Sequence, residues 1–387
     1  MTTGPLVGTR IVEMAGLGPA PFAGMVLSDM GAELLRVDKP PSAYRLFDPT
    51  GDVLGRGRRS IAVDVKHPDG TEVVLRLVEQ ADVLIDPYRP GVLERLGLGP
   101  DVCLARNPRL VYGRMTGFGQ PSTNADPAVK TPLTDAPGHD INYIAIGGAL
   151  GSIGRAGQPP TPPLNLVGDF GGGGMLLVVG VLAALLHARA TGEGQVVDAA
   201  MVDGTAMLMT SFFDLRTRWN GRGTGTLDTG APFYDVYETA DGRYVAVGAM
   251  EAQFFAALVK GLDLDDALLA EQWDQSRWPE HKRLFTEKFK QRTRDEWCAL
   301  LEGTDACVSP VLDPPEVTDH PHHGARGTYV QTPGGPVQPA PAPRFEKTPS
   351  APGGPPPAPG QHSAEALADW GFGESEIAAL QESGAVC

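Results

Sequence analysis

The sequence predicts an α/β protein: a doubly wound parallel sheet in the N-terminal half, followed by a smaller α+β domain. Three observations carry this. Residues 9–14 are a short apolar run, followed by the loop Ala15-Gly16-Leu17-Gly18-Pro19, a helical stretch at 20–30 and a second run at 33–37. That is a βαβ unit with a glycine turn. Runs at 58–66, 81–85 and 110–115 repeat the theme, with helical residues 75–79 between two of them. Beyond residue 225 the pattern changes. Two strand-like runs, 234–239 and 242–248, meet at Asp241-Gly242 and lead into helical stretches at 254–262, 278–290 and 295–301.

Composition narrows the function. The 387 residues suffice for two domains with their own cores. A net charge of −15 argues against nucleic acid as a partner, because phosphate binding needs a basic surface. Cys103, Cys298, Cys307 and Cys387 show neither metal-ligand nor disulfide spacing, and no leader pattern is read at the N-terminus. A reducing, cytoplasmic setting is the expectation. The apolar run 175–186 is shorter than the roughly 20 residues that span a bilayer, and reads as a buried helix rather than a membrane insertion.

The first glycine loop invites a dinucleotide reading, with Asp38 where a ribose-binding acid would stand. Pro21 occupies the place of the third glycine, so a tight strand-to-helix turn is the plainer interpretation. In such sheets ligands bind beyond the carboxyl ends of the strands. Lys39, Lys66, Arg89 and Arg95 follow predicted strands and could meet one anion there; each taken singly is a solvated charge.

Potential chemistry concentrates between residues 138 and 186. Gly138-His139-Asp140-Ile141-Asn142-Tyr143 places an imidazole among small residues, and Asn165-Leu166-Val167-Gly168-Asp169-Phe170 places a carboxylate before four glycines and the long apolar run. Locally, Asp169 could be a helix N-cap and His139 a structural loop histidine. Alternatively, amide groups exposed at Asp169 and its glycines could stabilise an anion such as an enolate.

In the C-terminal half, residues 193–203 read as a strand and a helix start, continued by a helix over 206–220 with Met207 and Met209. The methionines suit core packing, or contact with an apolar ligand. Charges from 280 to 294 read as solvated helix faces. His320-Pro321-His322-His323 lacks the spacing and companions of a metal site, so no metal is expected. Residues 331–359, dense in proline and glycine, should run extended, with short helices over 363–382.

The two central motifs, together with Gly194-Gln195-Val196-Val197-Asp198-Ala199-Ala200-Met201-Val202-Asp203-Gly204 and Gly230-Ala231-Pro232-Phe233-Tyr234-Asp235, resemble the α-methylacyl-CoA racemases of the type III CoA-transferase (CaiB/BaiF-like) family. The resemblance runs from Gly4 to Phe345. It implies a large Rossmann-like domain over 1–190, a linking helical region at 191–224, a small α+β domain at 225–325 and a tail at 326–387 returning to the large domain. It also implies a homodimer whose chains interlock.

For chemistry, the resemblance implies inversion of C2 in 2-methyl-branched acyl-CoA thioesters without a cofactor, CoA being part of the substrate. His139 and Asp169 would be the two bases, and Glu251 would orient the histidine. The CoA moiety would lie along Lys39, Val63, Asp64, Val65, Lys66, Pro87, Tyr88, Arg89 and Arg95, with Gly138, His139, Asp140, Ile141, Asn142 and Tyr143 flanking the pantetheine and thioester. Lys39 stands where relatives usually carry arginine, which keeps the charge and loses the bidentate fork. The segment 122–137 is longer and richer in proline than in relatives and would reshape acyl access. The alternative within the family is a CoA-transferase with Asp169 as nucleophile.

Overall fold

The computed structural model describes residues 3–40, 51–121, 131–213, 219–332 and 335–387. It divides into two compact units: Met1–Gly147, Leu164–Thr210 and Arg326–Cys387 form the first, and Gly148–Pro163 with Ser211–Ala325 the second. Residues 148–163, expected in the large domain, thus cluster with the second unit.

The first unit is a six-stranded parallel sheet of β1 (Arg10–Met14), β2 (Glu33–Asp38), β3 (Arg58–Ala62), β4 (Val83–Asp86), β5 (Val111–Thr116) and β6 (Gln195–Ala200). The spatial order is β3-β2-β1-β4-β5-β6. The winding therefore reverses between β1 and β4, the point at which open α/β sheets leave a crevice for ligands.

Strand alternation sends side chains into two cores. Val12, Leu35, Leu84 and Tyr112 pack with the helix Pro68–Gln80 and with Leu367 and Trp370 of the tail. Ile11, Val83, Ile85 and Val111 pack with the helices Pro19–Asp29 and Leu176–Thr191. Both faces of the sheet are covered, which is why these strands read as near-continuous apolar runs.

The tail completes the first core. Trp370 is fully buried, donates from its indole N–H to Glu33 Oε1 at 2.9 Å, and lies 4.1 Å beneath the Arg10 guanidinium. Val386 bridges to Val63 beside β3. Within the stretch 331–359, Val337–Pro339 pairs antiparallel with Tyr329–Gln331 as a short two-stranded sheet.

The apolar run read at 175–186 is part of something longer. Leu166–Met175 is a π-helical turn that continues into the α-helix Leu176–Thr191. The combined 26 residues are long and apolar enough to cross a membrane by length and composition, and 44% of the apolar window is buried. Leu177, Val181 and Ala184 face the core, whereas Val179 and Leu186 are 60% and 71% exposed. The reading of a buried helix holds for one face only.

The second unit has the hairpin β7 (Tyr234–Glu238) and β8 (Tyr244–Gly248), extended by β9 (Val308–Pro310), a strand too short to stand out in the sequence. The helices Ala252–Gly261, Trp278–Phe289 and Arg294–Leu301 supply Phe255, Phe285, Phe289 and Trp297 to its core. Not every charge between 280 and 294 is solvated. Arg294 is buried, and its guanidinium takes both oxygens of Glu316 at 2.9 Å. The helix expected over 206–220 is interrupted at Met209; residues 214–218 lie outside the described residues.

Candidate active site

The site is built where the winding reverses. The loops after β1 and β4 touch so closely that a Cβ on Gly16 would stand 2.5 Å from Pro87 Cβ. One residue pair further, a Cβ on Gly18 would stand 3.1 Å from Asp169 Oδ2. The Asp169 carboxylate therefore hangs over the first turn of the helix Pro19–Asp29. With proline at positions 19 and 21, that turn has lost two of the amide donors that a phosphate would need.

The dinucleotide reading fails on a second count. Asp38 is buried, and its Oδ2 accepts from Arg36 Nε at 2.7 Å and from Ser60 Oγ at 2.6 Å. Its oxygen is committed inside the protein rather than offered to a ribose.

Asp169 is not a helix N-cap. It lies within the π-helical turn, where Phe170 N–H donates to Asn165 O at 3.3 Å, five residues back. The Asp169 N–H donates to Asp140 Oδ1 at 2.7 Å, so it is spent and is no oxyanion donor. The glycines after it serve packing. A Cβ on Gly204 would lie 1.8 Å from Gly172 O, and one on Gly174 would lie 2.6 Å from the Phe22 ring. Backbone meets backbone there, which only residues without a side chain permit.

The Asp169 carboxyl is half-buried, and Asn165 Nδ2 donates to its Oδ2 at 3.1 Å. Its pKa is raised, chiefly by burial; the Asn165 hydrogen bond works against this, the negative charge of Asp140 adds to it, and the charge of His139 lowers it. The Asn165–Asp169 contact was visible in principle as an i, i+4 pair on one helix face.

His139 precedes the helix Asp140–Ile146 in an extended conformation, its N–H donating to Asn142 Oδ1 at 3.1 Å. This local box leaves the imidazole exposed while Asp140 turns inward and is buried. Tyr143, one turn on, packs edge-on against Phe118 at 4.9 Å. A Cβ on Gly117 would fall 2.2 Å from that ring, so Gly117 is the seat of Tyr143. Burial raises the Tyr143 pKa, the Asp169 and Asp140 charges raise it further, and Arg89 lowers it. Arg89, from the loop after β4, is thereby within electrostatic reach of the same centre.

The remaining predicted CoA contacts divide. Lys39, Lys66 and Arg89 are exposed past the carboxyl ends of β2, β3 and β4, and the Arg95 guanidinium lies close over Gly91. Gly138, Ile141 and Asn142 lie at or near the surface of the same loop and helix. Val63 does not line this edge. It is 1% exposed, belongs to the core and is paired with Val386. The Asp64 N–H is taken by Ala385 O at 2.9 Å, and Val65 packs partly against the core.

Tyr88 is half-buried beside Asp86, whose Oδ1 accepts its N–H at 2.9 Å. Burial, then the charges of Asp86 and Asp38, push the Tyr88 phenol up to about 12. Of the segment 122–137, residues 122–130 lie outside the described residues.

Glu251 belongs to the second unit. It precedes the helix Ala252–Gly261, its carbonyl accepts from Phe255 N–H at 2.9 Å, and its side chain is exposed where the helix N-terminus favours a carboxylate. The histidine group near residue 320 is tied up in part by a hydrogen bond between His320 Nε2 and Glu302 Oε1 at 2.9 Å. Among the described residues no cluster could hold a metal ion.

Residues 6–363 match the model of CoA-transferase family III. The chain belongs to that family. Two members similar to it are the α-methylacyl-CoA racemases of human and mouse. The human enzyme is 44% identical over 96% of this chain and 95% of its own length; the mouse enzyme is 44% identical over 97% and 96%. A CaiB/BaiF family protein from Brucella suis is similar in structure, with a TM-score of 0.80 and 25% identity over 95% of this chain and 100% of that one. The family's large parallel α/β sheet is thus the one described above.

Proposed function

We propose that this family member is a cofactor-independent isomerase that inverts C2 of 2-methyl-branched acyl-CoA thioesters by 1,1-proton transfer. The observation that carries the reading is 44% identity to α-methylacyl-CoA racemases across nearly the whole chain, and the charge of His139 acting on the Asp169 carboxyl supports it.

The chemistry asks for two groups on opposite faces of C2. One takes the α-proton, the C–H electron pair moves into the thioester as an enolate, and the other gives a proton to the opposite face. The reverse substrate exchanges the roles, and no net proton or electron is consumed. His139 and Asp169 fill these roles. Each positioned acid or base typically supplies about 10²–10⁴-fold. Burial that raises the Asp169 pKa suits a carboxyl that must also act as an acid.

Lys39, Lys66, Arg89 and Arg95 hold the CoA phosphates along the carboxyl edge of the sheet, while Pro87, Tyr88 and the stretch Gly138–Tyr143 flank the rest of the thioester. Exposed Leu164, Leu166, Val179 and Leu186 present an apolar face that a second copy of the chain would cover. This supports an interlocked homodimer rather than a membrane span, because the other face of the same helix is packed on the sheet. A cytoplasmic setting fits the four free cysteines.

The test is incubation of one enantiomer of a 2-methylacyl-CoA in D₂O with wild type, His139→Ala and Asp169→Ala. Deuterium at C2 with inverted configuration, impaired in both variants, is expected. Transfer of CoA to an added free acid without exchange would instead make Asp169 a nucleophile and the protein a CoA-transferase.

A further inference from the structure

Beneath Asp169 lies a second carboxylate. Asp140 is 6% exposed; its Oδ1 accepts the Asp169 N–H at 2.7 Å, and its Oδ2 is buried without a hydrogen-bond partner. The approach is possible because residue 168 is glycine: a Cβ there would stand 2.5 Å from Asp140 Oδ1. Holding the turn needs a single acceptor oxygen, which asparagine would supply without burying a charge. The second oxygen is surplus to that task, and a buried unpaired carboxylate oxygen is costly to keep.

We propose that Asp140 is a positioning residue for Asp169: its Oδ1 fixes the turn that aims the Asp169 carboxyl, and its buried carboxylate, set against that carboxyl, disfavours a second negative charge there. The proposal rests on the two-base reading. A racemase must begin each turnover with one partner protonated, and Asp140 makes Asp169 the readier acid.

The groups facing Asp169 are consistent with this division. Asn165 donates to the carboxylate and favours its ionised form, as does the charge of His139. Burial and Asp140 favour the protonated form. Tyr143 stands close enough for its phenol to feel both carboxylates, with Arg89 opposing them. The loop at Gly18 brings no charged side chain.

The experiment compares Asp140→Asn and Asp140→Ala with wild type, reading kcat and KM separately across the neutral pH range and following deuterium entry at C2. Asparagine keeps the acceptor and removes the charge. The profile limb that reports the carboxyl is expected to move acid-ward by about one pH unit. Alanine also frees the turn, and kcat is expected to fall about 10²-fold. A pH profile of Asp140→Asn that superimposes on wild type overturns the proposal and leaves the two-base reading intact. Failure of wild type itself to exchange C2 with solvent overturns that reading, and the proposal with it.

Discussion

Asn165 Nδ2 and Asp140 Oδ1 grip Asp169 from opposite directions, one on its carboxylate at 3.1 Å and the other on its backbone N–H at 2.7 Å. The first favours the charged form of the side chain, and the second brings a negative charge against it.

Removing the first should therefore act opposite to removing the second. In Asn165→Ala the carboxylate loses its donor, so its pKa rises further and the corresponding limb of the racemisation profile should move to higher pH. The measurement is kcat against pH for one substrate enantiomer. A shift to lower pH would mean that Asn165 does not stabilise the ionised form.

The seat of Tyr143 is as restrictive. Gly117→Ala places a methyl 2.2 Å from the Tyr143 ring, which must leave its edge-on contact with Phe118. Displacing one side of the site by an ångström or so should lower kcat/KM about 10²-fold. Steady-state kinetics beside a near-ultraviolet dichroism spectrum would separate a moved ring from a globally unfolded chain.

Asp86 predicts a pH effect on stability. The carboxyl is 1% exposed, and its Oδ2 lies 3.7 Å from Arg114 Nε without a hydrogen bond. Burial raises its pKa from 3.8 to about 6, with Tyr88 N–H and Arg114 opposing and Glu94 assisting. Between those values the folded chain keeps a proton that the unfolded chain releases, so wild-type stability falls as pH rises through that window. Asp86→Asn has no such penalty. The stability difference between variant and wild type should move in the variant's favour by about 2 kcal/mol from pH 4 to pH 6.5. Urea unfolding at both pH values checks it, and a constant difference would refute it.

Asp38 predicts a structural loss and no cofactor loss. Removing its carboxylate in Asp38→Ala leaves the buried Arg36 guanidinium without its anion, which should cost about 3–5 kcal/mol in urea unfolding. Titration of NADH into wild type should give no saturable change in cofactor fluorescence. Saturable binding abolished by Asp38→Ala would restore the ribose interpretation.

Much of the large sheet is legible because its signals are local. Apolar runs near residues 11, 34, 61, 84 and 112 alternate with helical spacing, and the Asp241-Gly242 hairpin announces itself by its turn. The surroundings of Asp169 were less legible. Four glycines before an apolar helix suggest exposed amides, and their use in backbone-to-backbone packing at Gly172 and Gly204 depends on residues 32 positions apart. Arg294 likewise looks solvated until Glu316 folds over it. Val63 reads as part of a binding edge until Val386 arrives from the far end of the chain. Pairings across such separations leave no periodicity behind.

That last pairing has a consequence for how the protein is made. The first unit draws on three separated stretches, the last of which emerges from the ribosome only after all of Ser211–Ala325. The second unit's own core can close early. The half-finished sheet meanwhile waits with an open slot where Trp370 belongs, its apolar floor exposed. Synthesis of this chain thus has a vulnerable interval built into its order, set by how long the nascent large unit must remain soluble before its closing residues appear.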